Sequence, residues 1–255
     1  MLKISQIAKN LAPHKEVFES ASTLSGIDAS LAKVLVNSGL EDGSKSDDKI
    51  KVSKKSWSAA SLKPSQTSMV LDKALGMALF MLKTNKIGGD LGAIVSKDNY
   101  IMDGHHRWAA TILASGKRGK VGGLGAGLKG KDLLRVLNLL TVGAFHIRNG
   151  NPGKGALNEF TESNVSKALS QMVNRGMGGP FPWSPEDVQE VLEKNFGSVE
   201  EGVSQISKNA KYITKSTPAW APSRSQMPVI DPKNLPEAAR KMDKGVVDWN
   251  DPYSA

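Results

Sequence analysis

Two histidines and an arginine stand side by side in Asp103-Gly104-His105-His106-Arg107, near the middle of the chain. Histidine exchanges protons near neutral pH, whereas arginine is a permanent, planar cation. What such residues do together depends on the backbone that carries them. The approach is strand-like: Gly92-Ala93-Ile94-Val95-Ser96, a Lys97-Asp98-Asn99 turn, then Tyr100-Ile101-Met102. After Gly104 the pattern becomes helical from His105 to Leu113, with Ala109, Ile112 and Leu113 at core spacing. The motif therefore occupies the first turn of a helix, just after a tight strand-to-helix turn. Unpaired backbone N–H groups and the positive end of the helix dipole face the same place. That combination attracts phosphate or another anion. Asp103 either caps this helix or coordinates a phosphate-bound magnesium ion.

The elements around the motif follow from periodicity and punctuation. Ile4, Ile7, Ala8 and Leu11 form one apolar helical stripe broken at Pro13, and Ile27 to Val36 form a second, stopped by Gly39. Glu41 to Lys55 alternates in charge, lacks periodic apolar residues and reads as a linker or exposed loop. A compact core is expected from Trp57. Leu62-Lys63-Pro64-Ser65-Gln66-Thr67 is extended, because the residue before a proline is pushed out of the helical region. Leu71 to Leu82 is an apolar helix whose methionines (Met69, Met77, Met81) read as adaptable core packing. Beyond the motif, a glycine- and lysine-rich stretch from Ser115 to Gly130 precedes a helix from Lys131 to Ala144. Further helices are expected over Thr161 to Arg175, from the Ser184-Pro185 start, and from Ser198 toward Lys215. The tail from Pro218 is spaced with prolines, holds one short helix near Leu235 to Met242, and either wraps on the body or binds a partner.

Composition sets the outer limits. The 255 residues are 39% hydrophobic and 5% aromatic, enough for one large domain or a core with helical additions. The net charge of +9 and a pI near 9.6 suggest a nucleic acid, a nucleotide or an acidic protein as partner. No cysteine occurs, which excludes disulfides, thiolate nucleophiles and Cys-ligated zinc. The first residues lack the apolar segment of a signal peptide, and no run approaches the about 18 apolar residues of a membrane span. The expectation is a protein of the cytoplasm, or of a host cytoplasm or virion if phage-encoded, with no membrane partner.

The run Asp103-Gly104-His105-His106-Arg107-Trp108-Ala109-Ala110 on a strand, turn and helix resembles the ParB/sulfiredoxin superfamily. Its ParB members carry Gly-Glu-Arg-Arg at this turn and its sulfiredoxins Gly-Cys-His-Arg. Gly104 and Arg107 match both, and His106 matches the histidine of the second. Leu62-Lys63-Pro64-Ser65-Gln66 is similar to the segment before the first helix of the superfamily, and the order of elements agrees. The look of the motif is closer still to ParB-like proteins of bacteriophages, often labelled nucleases. The resemblance spans roughly Trp57 to Arg148. It implies a nucleotide triphosphate (ATP or CTP, with magnesium) or a nucleic-acid phosphate, held by the amides of Gly104 to Arg107 and clamped by the Arg107 side chain. It also implies nucleotide hydrolysis, phosphoryl transfer or nuclease chemistry linked to DNA. His105 departs from the pattern, standing where a catalytic cysteine or a glutamate is found, so thiol-dependent repair is excluded. As a catalytic group His105 or His106 would be a general base, a phosphate ligand or a phosphoryl acceptor. The alternative is that both only solvate a helix end.

Three further readings bear on function. Asp103, His105, His106 and the distant His146 suggest a metal-dependent nuclease, but adjacent residues do not share a helix face, and His14 lies in an unrelated segment. Gly125-Ala126-Gly127-Leu128-Lys129-Gly130 matches G-x-G-x-x-G without a convincing strand before it. It reads either as a basic loop closing over phosphates through Lys129 and Lys131 or as a solvated loop. The basic run from Lys117 to Arg135 could track a nucleic-acid backbone, yet no helix-turn-helix follows, against a chromosome-segregation role. The expected architecture is α+β: a small mixed sheet with helices over residues 57–148, an N-terminal helical segment and linker over 1–56, and a helical C-terminal region with extended tail over 149–255. The non-enzymatic alternative is a phage accessory or virion module, structural or DNA-binding, with the tail docking on a protein partner.

Overall fold

Side-chain alternation governs the middle of the chain. In β3 (Gly89–Val95) and β4 (Tyr100–Asp103), Ala93, Val95 and Ile101 join one buried cluster while Ile94 and Met102 join another. A strand turns successive side chains to opposite faces, so the sheet is covered on both sides. The fold is α+β. A computed structural model describes residues 29–38, 48–147, 154–179 and 182–247 of the chain. The expected stripe around Ile4 to Leu11 and residue His14 lie outside the described residues.

Five strands form one mixed sheet in the order β1-β5-β3-β4-β2. The outer strand β1 (Val52–Ser58) runs antiparallel to β5 (Lys120–Ala126), in register from Val52 opposite Ala126 to Ser58 opposite Lys120. β5 is parallel to β3, β3 antiparallel to β4, and β4 parallel to the two-residue β2 (Lys63–Pro64). The β3–β4 hairpin turns at Asn99 with a φ of 66°. Two expectations are corrected here. The strand β1 begins inside the stretch read as a linker, and Ile50 just before it is buried. A strand, β5, does precede the Gly125-to-Gly130 motif and takes in its first two residues, leaving only residues 127–129 as a loop. The glycines of β5 allow close strand approach beside the β3 bulge: a Cβ on Gly123 would fall 2.0 Å from the carbonyl oxygen of Ala93.

Eight α-helices flank the sheet among the described residues. On one face lie α2 (Leu71–Lys83) and α3 (His105–Ser115), backed by α5 (Glu162–Arg175), α6 (Pro185–Phe196) and α7 (Val199–Asn209). On the other lie α1 (Ala29–Ser38), α4 (Gly130–Leu139) with a π turn over Leu140–Ala144, and α8 (Leu235–Asp243). The starts read from sequence are in place. The side chains of Thr161, Ser184 and Ser198 each accept the amide of the residue three positions on, at 3.1 Å. Leu157, Phe160, Val165 and Leu169 share one cluster with Leu75, Leu79 and Ile112, so packing runs across the expected boundary after residue 148.

Candidate functional site

β4 ends at Asp103 and α3 begins at His105, and the residue between them has a φ of 96°. Only glycine adopts that left-handed geometry without strain. Trp108, fully buried one turn on, anchors the helix by donating from Nε1 to the carbonyl of Ala59 at 2.7 Å. No side chain caps α3. Asp103 therefore is not the expected cap. Its carboxylate instead accepts from Arg107 Nη2 at 3.2 Å. Burial pushes the Asp103 carboxyl above its ordinary range, against the pull of Arg107.

The two histidines are held by the segment that precedes α2. Nε2 of His105 accepts the Ser65 amide at 3.2 Å, and Nε2 of His106 accepts the Val70 amide at 3.1 Å. Ser65 Oγ in turn donates to the carbonyl of Ile101 at 2.6 Å. An imidazole nitrogen that accepts an amide proton carries none of its own, so both rings are neutral, with any ring proton on Nδ1. Burial, then the cost of a second cation beside His106 and the charge of Arg224, holds His105 down to about 3 from its ordinary 6.5. Burial, then Lys73, Arg224 and Arg107, does the same to His106, also to about 3. These are acceptors that fix a loop. Neither adds positive charge to the helix end, and a base acting through either ε-nitrogen would meet an occupied lone pair.

The positive charge comes from elsewhere. A cleft of about 580 Å³ opens at the start of α3, lined by Asp103 to Arg107, by Lys73 and Met77 of α2, and by Arg224 and Met227 to Pro232 of the tail. Lys73, Arg107 and Arg224 thus reach one cavity from three separate elements. Burial lowers the pKa of Lys73, and the charges of Arg224 and Arg107 lower it further. Among the described residues Asp103 pairs with Arg107, while no carboxylate forms an ion pair with Lys73 or Arg224. Arg107 Nε is buried without a hydrogen-bond partner. Against these three cations the cleft sets two carboxylates, Asp103 and Asp231, and so keeps a positive balance.

Other expected participants stand apart. Lys129 and Lys131 are exposed at the start of α4 and do not line the cleft. The first amide of that helix, from Gly130, is taken by Asp98 Oδ1 at 2.8 Å, and the Trp220 ring packs on the same glycine. A carboxylate and an indole thus occupy the start of this helix, and Lys129 and Lys131 are exposed as in the solvated-loop reading. His146 is exposed and outside the cleft. No group of three His, Asp or Glu residues suited to a metal occurs among the described residues. The cleft's two carboxylates are both paired, Asp103 with Arg107 and Asp231 with Lys233, and stand among three cations, so the residues present do not fit a magnesium ion bound directly to Asp103.

Sequence reasoning missed Lys73 and Arg224. The first had a weak signal, a lysine beside Asp72 in the opening turn of a mostly apolar helix. The second had only its place in a tail expected to wrap. Comparison with protein-family models, with curated proteins and with solved structures finds no match to this chain. No helix among the described residues is long and apolar enough to cross a membrane.

Proposed function

We propose that this cleft binds the phosphate groups of a nucleotide, with ATP or CTP the expected ligand, in a protein of the ParB/sulfiredoxin kind. The observation that carries the reading is the meeting of Lys73, Arg107 and Arg224 at the uncapped start of α3. Backbone amides, a helix dipole and three cations of separate origin favour a polyanionic ligand and little else. The order of elements supports the kinship: an extended segment at β2, the helix α2, the β3–β4 hairpin and the motif helix. The basic balance of the chain is in keeping with work close to nucleic acid.

Binding is the function these residues serve directly. The amides of His105 to Arg107 and the guanidinium of Arg107 hold phosphate oxygens, and Lys73 balances their charge. Hydrolysis, phosphoryl transfer or nuclease chemistry needs a base other than the ε-nitrogens of His105 and His106, which are committed to Ser65 and Val70.

A thermal-shift screen with ATP, CTP, GTP and short DNA tests the proposal. Ligand at about 100 times its Kd stabilises the folded state by about 2.7 kcal/mol, a shift of several degrees for a chain of this size. The expected result is a shift with one triphosphate that disappears in Arg107→Ala, whose own melting point stays close to that of the parent. A shift retained in Arg107→Ala would sink the placement. One seen with DNA alone and erased by moderate salt would move the function to the basic surface.

A further inference from the structure

The wall of the cleft facing α3 is built by the tail. After α7 the chain crosses to α8 as a strap whose prolines, Pro218, Pro222, Pro228 and Pro232, have no amide to give a sheet. Local turns shape it: Ala221 N–H donates to the Pro218 carbonyl at 2.9 Å and Gln226 N–H to that of Ser223 at 3.0 Å. Side chains fasten it to the body. The Trp220 ring meets that of Tyr100 edge-on, 5.1 Å between centroids, and Met227 and Ile230 are buried in the second core. Asn138 Nδ2 adds a bond to the Gln226 carbonyl at 3.3 Å. Between these anchors lies Arg224, which faces the cleft.

We propose that the strap is the closing element of the anion site, and that docking of residues 218–232 and binding of phosphate are one coupled equilibrium. Arg224 is the contact residue that couples them. The inference rests on the phosphate reading and adds to it a third binding residue and a moving part. The physical argument is one of sign. Arg224 and Arg107 both raise the cost of a charge on Lys73, so the three cations oppose the docking of Arg224 on the body, offset only in part by Asp231 of the strap, which lines the same cleft and already pairs with Lys233. A phosphate among them turns each of those repulsions into an attraction, and the strap is then held by its ligand as well as by Trp220, Met227 and Ile230. By linkage, whatever loosens the strap weakens the ligand by the same factor. Only the stretch between the buried anchors, Ser223 to Gln226, is exposed or half-buried and shaped by local turns, so it is this stretch, with Arg224 in it, that opens at lower cost than the core on either side.

The test uses the full chain and inorganic triphosphate as the probe. Hydrogen exchange across residues 218–232 should slow when triphosphate is added. Arg224→Ala should weaken triphosphate binding about tenfold or more. Trp220→Ala, which removes an anchor outside the cleft, should weaken it as well, through the strap alone. Arg224 is half-exposed and outside both buried clusters, so its replacement leaves the fold intact even if Trp220→Ala does not. Triphosphate binding that needs Arg107 but is unchanged in Arg224→Ala, with no added protection of the strap, would overturn the coupling and leave the anion site standing. Failure of the parent protein to bind triphosphate at all would remove the phosphate reading, and the coupling with it.

Discussion

At the scale of single residues, the histidines carry the main lesson. In the sequence His105 and His106 stand where an anion-binding or catalytic pair would stand, and nothing local distinguishes that use from a structural one. Their partners, the amides of Ser65 and Val70, lie 40 and 36 residues upstream. The assignment depends on a tertiary contact, which a motif does not contain. Two measurements follow. Each ring takes up a proton at 6.5 when unfolded but only near 3 when folded. Between those values the unfolded chain holds the extra protons, so acid favours unfolding. Stability is full above 6.5 and should fall by about 1.4 kcal/mol per ring for each pH unit below it. Urea melts between pH 7 and pH 4.5 should show that slope, and replacing both histidines with glutamine should flatten it. His105→Ala, which strands the buried Ser65 amide, should cost about 1–3 kcal/mol at pH 7. A mutant as stable as the parent would mean that Ser65 has found another acceptor.

At the scale of elements, the legible parts were those whose signals are local. Ser184-Pro185 and Thr161 named the starts of α6 and α5 because capping is settled within one turn. The β3–β4 hairpin was legible because alternation and a polar turn lie next to each other. β5 was not legible. Its sequence, Lys-Val-Gly-Gly-Leu-Gly-Ala, has the composition of a loop, and its glycines make sense only beside the carbonyls of Gly89 and Ala93 on the neighbouring strand. Gly123→Ala tests that account. A methyl group at 2.0 Å from an oxygen forces the central strand pair apart, and the expected loss is at least the about 1–3 kcal/mol typical of overpacking. Calorimetry would read it, and a neutral substitution would place the β5–β3 pairing in error.

At the scale of the whole molecule, the tail changed most between reading and structure. That it would either wrap on the body or bind a partner was legible from its prolines and its lack of a core, but not which of the two. That it would complete a core was not. Met227, Ile230, Ala238, Met242 and Val247 all belong to the cluster on the second sheet face, and the Ile50 amide donates to the Met242 carbonyl at 2.9 Å. A large buried apolar side chain contributes about 1.5–3 kcal/mol, against a total stability of about 5–15 kcal/mol. A chain ending at Thr217 should therefore lose its cooperative thermal transition, seen by circular dichroism, whatever becomes of the cleft. The same scale shows why a basic run is not a basic surface. β5 separates Lys117 and Lys120 from Lys129 and Lys131 by roughly 20 Å of strand.

With helices over both faces, the sheet is open only along its margins. One margin is β2, two residues long and followed directly by the Ser65 amide that His105 accepts. The other is β1, which carries exposed Lys54 and Lys55 at its centre. Pairing two such margins would bring ammonium groups of two molecules together, and charged, short margins are how β proteins avoid growing into fibres. Crowded copies of this chain have no ready route to polymerise edge to edge. Replacing both lysines with threonine would open one.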